Sequence, residues 1–173
     1  MDVILVNEAD EPVGIMEKME VHRKALLHRA FSIFIFNSKG EMLLQRRALD
    51  KYHSAGLWSN SCCSHPQPGE ETIDSAARRL KEELGIETEL THVFHFIYKA
   101  EFDNQLTEHE LDHVFIGTYD GEVVPNPEEV NDYTYNSIDE VLTSLDQHPE
   151  KYTAWFKIVM PRVADHLRKN NLK

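Results

Sequence analysis

Cysteine is nearly absent from the 173-residue chain, and the two that occur, Cys62 and Cys63, are neighbours. Adjacent residues send their side chains apart, so neither a disulfide framework nor a CxxC metal knuckle is available, and reduced thiols are expected. Long apolar runs are also missing. No segment approaches the roughly 18 continuous apolar residues of a membrane-spanning helix, and Met1 to Glu11 lacks the basic flank and apolar run of a secretion signal. The expectation is a soluble, cytoplasmic protein. Basic residues are in short supply: 18 Lys and Arg against 30 Asp and Glu give a formal charge of -12. This argues against nucleic acid, whose backbone is gripped by excess Lys and Arg. A phosphate ligand would be held locally, by a few cations and by a divalent ion between protein carboxylates and phosphate oxygens. Repeats, low-complexity tracts and Gly- or Ser-rich linkers are lacking as well.

What is present suits one α/β (α+β) domain. The length and a 41% hydrophobic content support a single core. Val3 to Val6 and Val13 to Ile15 read as a short hairpin. Ala30 to Phe36 and Met42 to Arg46, joined by Asn37-Ser-Lys-Gly40, read as a stronger one. From Thr72 to Leu84, Ile73, Ala76, Ala77, Leu80 and Leu84 recur at helical spacing, and Gly85 stops the helix. Arg79 and Glu83 then share a face other than the core stripe. Val93 to Phe102 and Leu111 to Tyr119 read as strands. Ser137 to Glu140 is a capping box opening a helix to about Leu145, and Glu150 to Lys169 reads as a terminal helix kinked at Pro161.

The chemistry concentrates between residues 60 and 86. There the pattern G-x5-E-x7-R-E-U-x-E-E-x-G-U, with U a bulky aliphatic residue, is followed at Glu70, Arg78, Leu80, Glu82, Glu83, Gly85 and Ile86. It is broken at two places, where Ser64 stands for Gly and Arg79 for Glu. Just ahead lies Asn60-Ser-Cys-Cys-Ser-His-Pro-Gln67. The segment resembles the Nudix box, and together with this leader the chain resembles type I isopentenyl diphosphate isomerase from about Val13 to Trp155. The resemblance implies a Nudix fold, a mixed sheet between helical layers, spanning residues 1–173 as one domain. It implies reversible transposition of the double bond of isopentenyl diphosphate, through a carbocation, to give dimethylallyl diphosphate.

The family's roles map onto particular residues. His22, His28 and His65, with Glu108 and Glu110, match its metal ligands. Three imidazoles with carboxylate oxygens suit a borderline divalent ion, and Zn2+ or Mn2+ is implied without a choice between them. His22 and His28, six apart, can serve one metal only if a helix ends between them and the chain turns into the strand at Ala30. Glu108 and Glu110 lie two apart on a strand, on one face and about 6.6 Å apart at the root. Such a pair must raise a pKa, turn to solvent or meet a cation.

Cys63 and Glu110 match the two proton carriers, with Tyr98 bonded to Glu110 and Trp155 facing the carbocation. A thiolate at Cys63 requires a neighbouring positive charge, whereas Cys62 reads as a small buried hydrophobe. Lys18, Arg47, Lys51 and Arg79 match the diphosphate-binding cations, and Glu83 the carboxylate that reaches a Mg2+ bound with the diphosphate. Arg46 reads as a solvated charge and Arg78 as a partner of Glu82. The partner implied is a small allylic or homoallylic diphosphate, with no nucleic acid and no membrane; the oligomeric state is left open. A Nudix hydrolase of a nucleoside diphosphate derivative is the alternative. A binding module that keeps the fold without the chemistry is a third reading.

Overall fold

The computed structural model describes residues 1–51, 53–102 and 105–170. Its centre is the strand β3 (His28–Phe36), with nearly every residue buried. Such a strand needs cover on both faces, and its alternation divides it cleanly. Phe31, Ile33 and Ile35 meet Ala76, Leu80 and Leu84 of the helix α2 (Thr72–Leu84), while Phe34 and Phe36 meet Phe156, Val159, Met160 and Val163 of the helix α4 (Ala154–Lys169). A mixed sheet between helical layers follows.

Among the described residues the sheet has nine strands. β1 (Asp2–Val6) and β2 (Pro12–Glu17) form the expected first hairpin, and β1 joins β3 only at Leu5 opposite His28. The second expected hairpin is real only at its tip. β3 and β4 (Met42–Arg47) pair at Phe36 and Met42 and then part. Along the rest of its length β3 runs parallel to β8 (Thr107–Thr118) and antiparallel to the short β6 (Cys62–Ser64). β4 instead takes β5 (Trp58–Ser59) and β9 (Val130–Asn136), and β7 (Thr91–Glu101) pairs with β8. β5, β6 and β9 escape the sequence pattern because the first two are two and three residues long and the third is mostly polar. β8 begins four residues before Leu111, which brings Glu108 and Glu110 into the ladder.

α1 (Lys18–Lys24) is short. The Glu17 carboxylate caps it by accepting from Met19 and Glu20 N–H, and Ala25 ends it with φ 55°. The turn expected between His22 and His28 is this one, with β3 starting two residues before Ala30. α2 ends at Gly85 (φ 67°), where a side chain would meet Val124 at 3.0 Å. Its buried stripe differs from the periodic one: Ile73 and Ala77 face outward, and Ser75 and Glu83 are buried. α3 (Ile138–Gln147) carries the capping box at Ser137 and Glu140. The terminal helix is shorter than expected. A 3-10 turn at Pro149–Lys151 precedes it, Thr153 caps it, and α4 spans Pro161 uninterrupted. Among the described residues, no helix is long and apolar enough to cross a membrane.

Candidate active site

The ends of β3, β4, β6 and β8, with α1, α2 and the start of α4, enclose two connected chambers. The outer, about 190 Å3, is lined by Lys51, Arg79, Glu83 and Glu129; the inner, about 60 Å3, by Ser32, His65, Tyr98, Glu108 and Glu110. Lys18, Arg47, Cys63 and Trp155 line both.

Against the inner chamber, which His65 and Glu110 line, ligand atoms of His22, His28, His65 and Glu110 lie within 4.8 Å of one another, all four residues buried. Each comes from a different stretch of chain. The turn after α1 brings His22 to His28, ring centroids 5.5 Å apart, and His28 lies 5.0 Å from His65. His28 Nδ1 donates to Leu26 O at 3.0 Å, which turns its Nε2 toward Glu110 Oε2, 3.1 Å away. Three buried atoms beside it, His22 Nε2, His65 Nδ1 and Glu108 Oε1, have no hydrogen-bond partner. Burial, the largest influence, pulls the pKa of His22 and of His65 down to about 4, so both imidazoles are neutral at neutral pH, as ligands must be. The residues present fit a divalent metal ion.

Glu108 is buried beside this group and outside its 4.8 Å circle. Burial, then the charge of Glu110, drives its pKa well above the carboxylate range. For Glu110 burial acts the same way, but His65 and His28 outweigh it and hold that carboxyl well below. The two carboxyls on one face therefore split, as the like-charge argument requires. Tyr98 OH donates to Glu110 Oε1 at 2.6 Å, and His65 Nε2 lies 2.8 Å from Oε2.

At Cys63 the surroundings favour the neutral thiol. Burial and then the Asp112 charge push its thiol far up, and its Sγ donates to Asn60 Oδ1 at 3.0 Å. The neighbouring cation that a resting thiolate needs does not prevail, because the strand places Cys63 over Ser32 and Asp112. Cys62 faces the α2 core, fully buried. Trp155 Nε1 donates to Ser59 Oγ at 2.9 Å, and the Arg47 guanidinium stacks 5.1 Å from the ring centroid.

In the outer chamber Arg79 and Lys51 sit in carboxylate pairs. Arg79 donates to Glu83 at 2.6 Å and to Glu82 at 3.0 Å, and Lys51 to Glu129. Glu83, nearly buried, also accepts from Gln45 at 3.0 Å. Arg46 lies elsewhere, bonded to Gly56 O at 2.8 Å. Arg78 forks onto Glu70, both bonds 3.0 Å, besides Glu82, so these box residues brace the loop before α2. Sequence reasoning missed Ser32, Gln45, Asn60, Asp112 and Glu129. Asp112 continues the alternation of Glu108 and Glu110 and was within reach; the others carry no such signal.

Residues 26–156 match the model of the NUDIX domain. The chain is similar to isopentenyl-diphosphate Delta-isomerase of Pectobacterium atrosepticum, 52% identical over 95% of this chain and 92% of the relative. It is also similar to isopentenyl-diphosphate Delta-isomerase 1 of Aromatoleum aromaticum, 50% identical over 93% and 91%. Among solved structures, a Deinococcus radiodurans protein superposes with TM-score 0.79 at 22% identity, covering 94% of this chain and 98% of that one. A MutT protein of Methanosarcina mazei superposes with TM-score 0.67 at 24% identity, over 83% and 95%. These structural likenesses speak to the fold.

Proposed function

This chain belongs to the NUDIX-domain family of isopentenyl-diphosphate Delta-isomerases, and from that premise we propose how its own residues move the double bond. The reaction needs one proton delivered to the terminal alkene carbon and another taken from the carbon two along, with a tertiary carbocation between. One observation carries the reading: Cys63 from β6 and the Tyr98–Glu110 pair from β7 and β8 reach the same small chamber, with Trp155 in its wall.

In the forward direction the Glu110 side delivers, drawing on the proton held by the neighbouring Glu108 carboxyl and on the Tyr98 hydroxyl, and Cys63 receives. The roles exchange in reverse. The protonation pattern described above, a thiol at Cys63 and an ionised Glu110, is the one that starts the reverse direction. Trp155 presents an aromatic surface to the developing positive charge and excludes water from it. His22, His28, His65 and Glu110 would hold Zn2+ or Mn2+, with Glu108 close by. Such an ion supplies positive charge that keeps the buried acids compact and tunes their proton affinity.

Lys18, Arg47, Lys51 and Arg79 bind the diphosphate in the outer chamber. Glu83 would reach a Mg2+ that accompanies it, which frees Arg79 for phosphate oxygens. Where the Nudix box has a carboxylate, the fork of Arg79 grips phosphate and gathers no water-activating metal. The substrate is a small diphosphate, and the cytoplasm is the compartment proposed for it. Glu110→Gln tests the assignment: loss of a positioned proton carrier costs about 10²- to 10⁴-fold in turnover, and near-normal turnover would remove Glu110 from the reaction.

A further inference from the structure

The ten histidines of the chain are not used up by the chamber. On the opposite face of β8 from Glu108, Glu110 and Asp112, ring nitrogens of His92, His95 and His113 lie within 4.8 Å of one another. His95 and His113 are directly cross-strand partners. His92 and His95 are three apart and would point to opposite faces of a regular strand. A bulge between His92 and Phe94 turns His92 back onto the face of its neighbours, opposite Phe115. The sheet is thus irregular where regularity would scatter the three imidazoles.

Behind His113 stands the carboxylate of Asp10. His113 Nε2 donates to Asp10 Oδ2 at 2.9 Å, and Asp10 is itself fixed by Arg29, which donates to Oδ1 at 2.8 Å and to the backbone O at 2.7 Å. Asp10 occupies a left-handed turn (φ 63°) between β1 and β2, a conformation that Asp tolerates better than most residues. The carboxylate sets the tautomer, leaving the Nδ1 lone pair of His113 aimed at His92 Nε2, 2.9 Å away. A metal-ligating histidine typically has such a carboxylate on its far nitrogen. Two nitrogens bonded to one ion at about 2.0–2.1 Å stand about 2.9 Å apart at a right angle and about 3.4 Å apart at a tetrahedral one.

We propose that His92, His95 and His113 form a second metal site, for a borderline divalent transition ion such as zinc, copper or nickel. Three imidazoles without a carboxylate ligand select that class over magnesium or calcium. His92 and His95 are exposed, so the ion keeps positions open to water. Binding exchanges the His92–His113 hydrogen bond for two metal bonds, with His92 taking the tautomer protonated at Nδ1. The site is independent of the isomerase chemistry.

The test counts zinc on the chelator-stripped full chain by equilibrium dialysis and atomic emission. Wild type should hold one ion per chain more than His92→Ala/His95→Ala, whose isomerase turnover shows that the buried site is intact. Equal zinc in the two proteins overturns the proposal. Should the variant fail to fold, wild type labelled with 15N in its imidazoles decides. The His92, His95 and His113 resonances move together during zinc titration if the site exists, and their standing still through two equivalents overturns it.

Discussion

Arg79 Nη2 donates to Glu83 Oε2 at 2.6 Å across one turn of α2, at the place where the Nudix box has a Glu and this chain has a cation. Glu83 is nearly buried and is steadied from the other side by Gln45. The pair is thus a stored charge couple in the wall of the outer chamber. Binding of diphosphate with its cation would let each member trade its partner for a ligand of the same sign.

Arg79→Gln should therefore weaken substrate binding more than chemistry. A lost charge-assisted hydrogen bond costs about 1.5–3 kcal/mol, about 10- to 150-fold, to appear mainly as a raised KM in steady-state kinetics. A variant with unchanged KM and reduced kcat would place Arg79 in the proton-transfer steps instead.

The two thiols make a matched pair. Cys63→Ala should lower kcat by about 10²- to 10⁴-fold with little change in melting temperature. Cys62→Ala should leave turnover nearly intact and cost about 1 kcal/mol of stability, because it trims a small side chain from the core against α2. Equal kinetic losses would mean that both act through packing.

The pKa of His22 sets a pH dependence of stability. Burial holds it at about 4, against an ordinary 6.5. Between those values the unfolded chain binds a proton that the folded one refuses, so stability falls as the pH drops from 6.5 toward 4. Above 6.5 this contribution is flat. In the metal-free protein, His22→Gln should remove up to roughly 3 kcal/mol of that decline, read by urea unfolding across the window. Parallel wild-type and variant curves would contradict the buried, neutral imidazole.

Much of this was legible in the sequence, and the reasons differ by element. α2 and the capping box of α3 were readable because Gly85, Ser137 and Glu140 act locally. The parting of β3 from β4 was not, because the partners of β3 are the distant β8 and the three-residue β6, whose pairing is a tertiary matter. Four of the five expected inner-site ligands converge, with Glu108 alongside. The surroundings of Cys63 were not legible: Asp112 lies 49 positions away in sequence, and only the β3–β8 and β3–β6 pairings bring it beneath the thiol.

Two kinds of divalent ion should be needed. Exhaustive chelation should abolish turnover, and zinc or manganese together with magnesium should restore it. Magnesium alone should restore little, since imidazole donors favour softer ions. Full recovery with magnesium as the sole metal, confirmed by elemental analysis, would contradict a dedicated site at His22, His28, His65 and Glu110.

The most direct measurement follows isopentenyl diphosphate by proton and phosphorus NMR in deuterated water, with the protein and both metals present. Dimethylallyl diphosphate should appear, with solvent deuterium in its newly formed methyl group and the diphosphate intact, because protons enter and leave through different groups. Release of phosphate or a monophosphate with the double bond unmoved would contradict the account. So would isomerisation that carries no deuterium into the new methyl group.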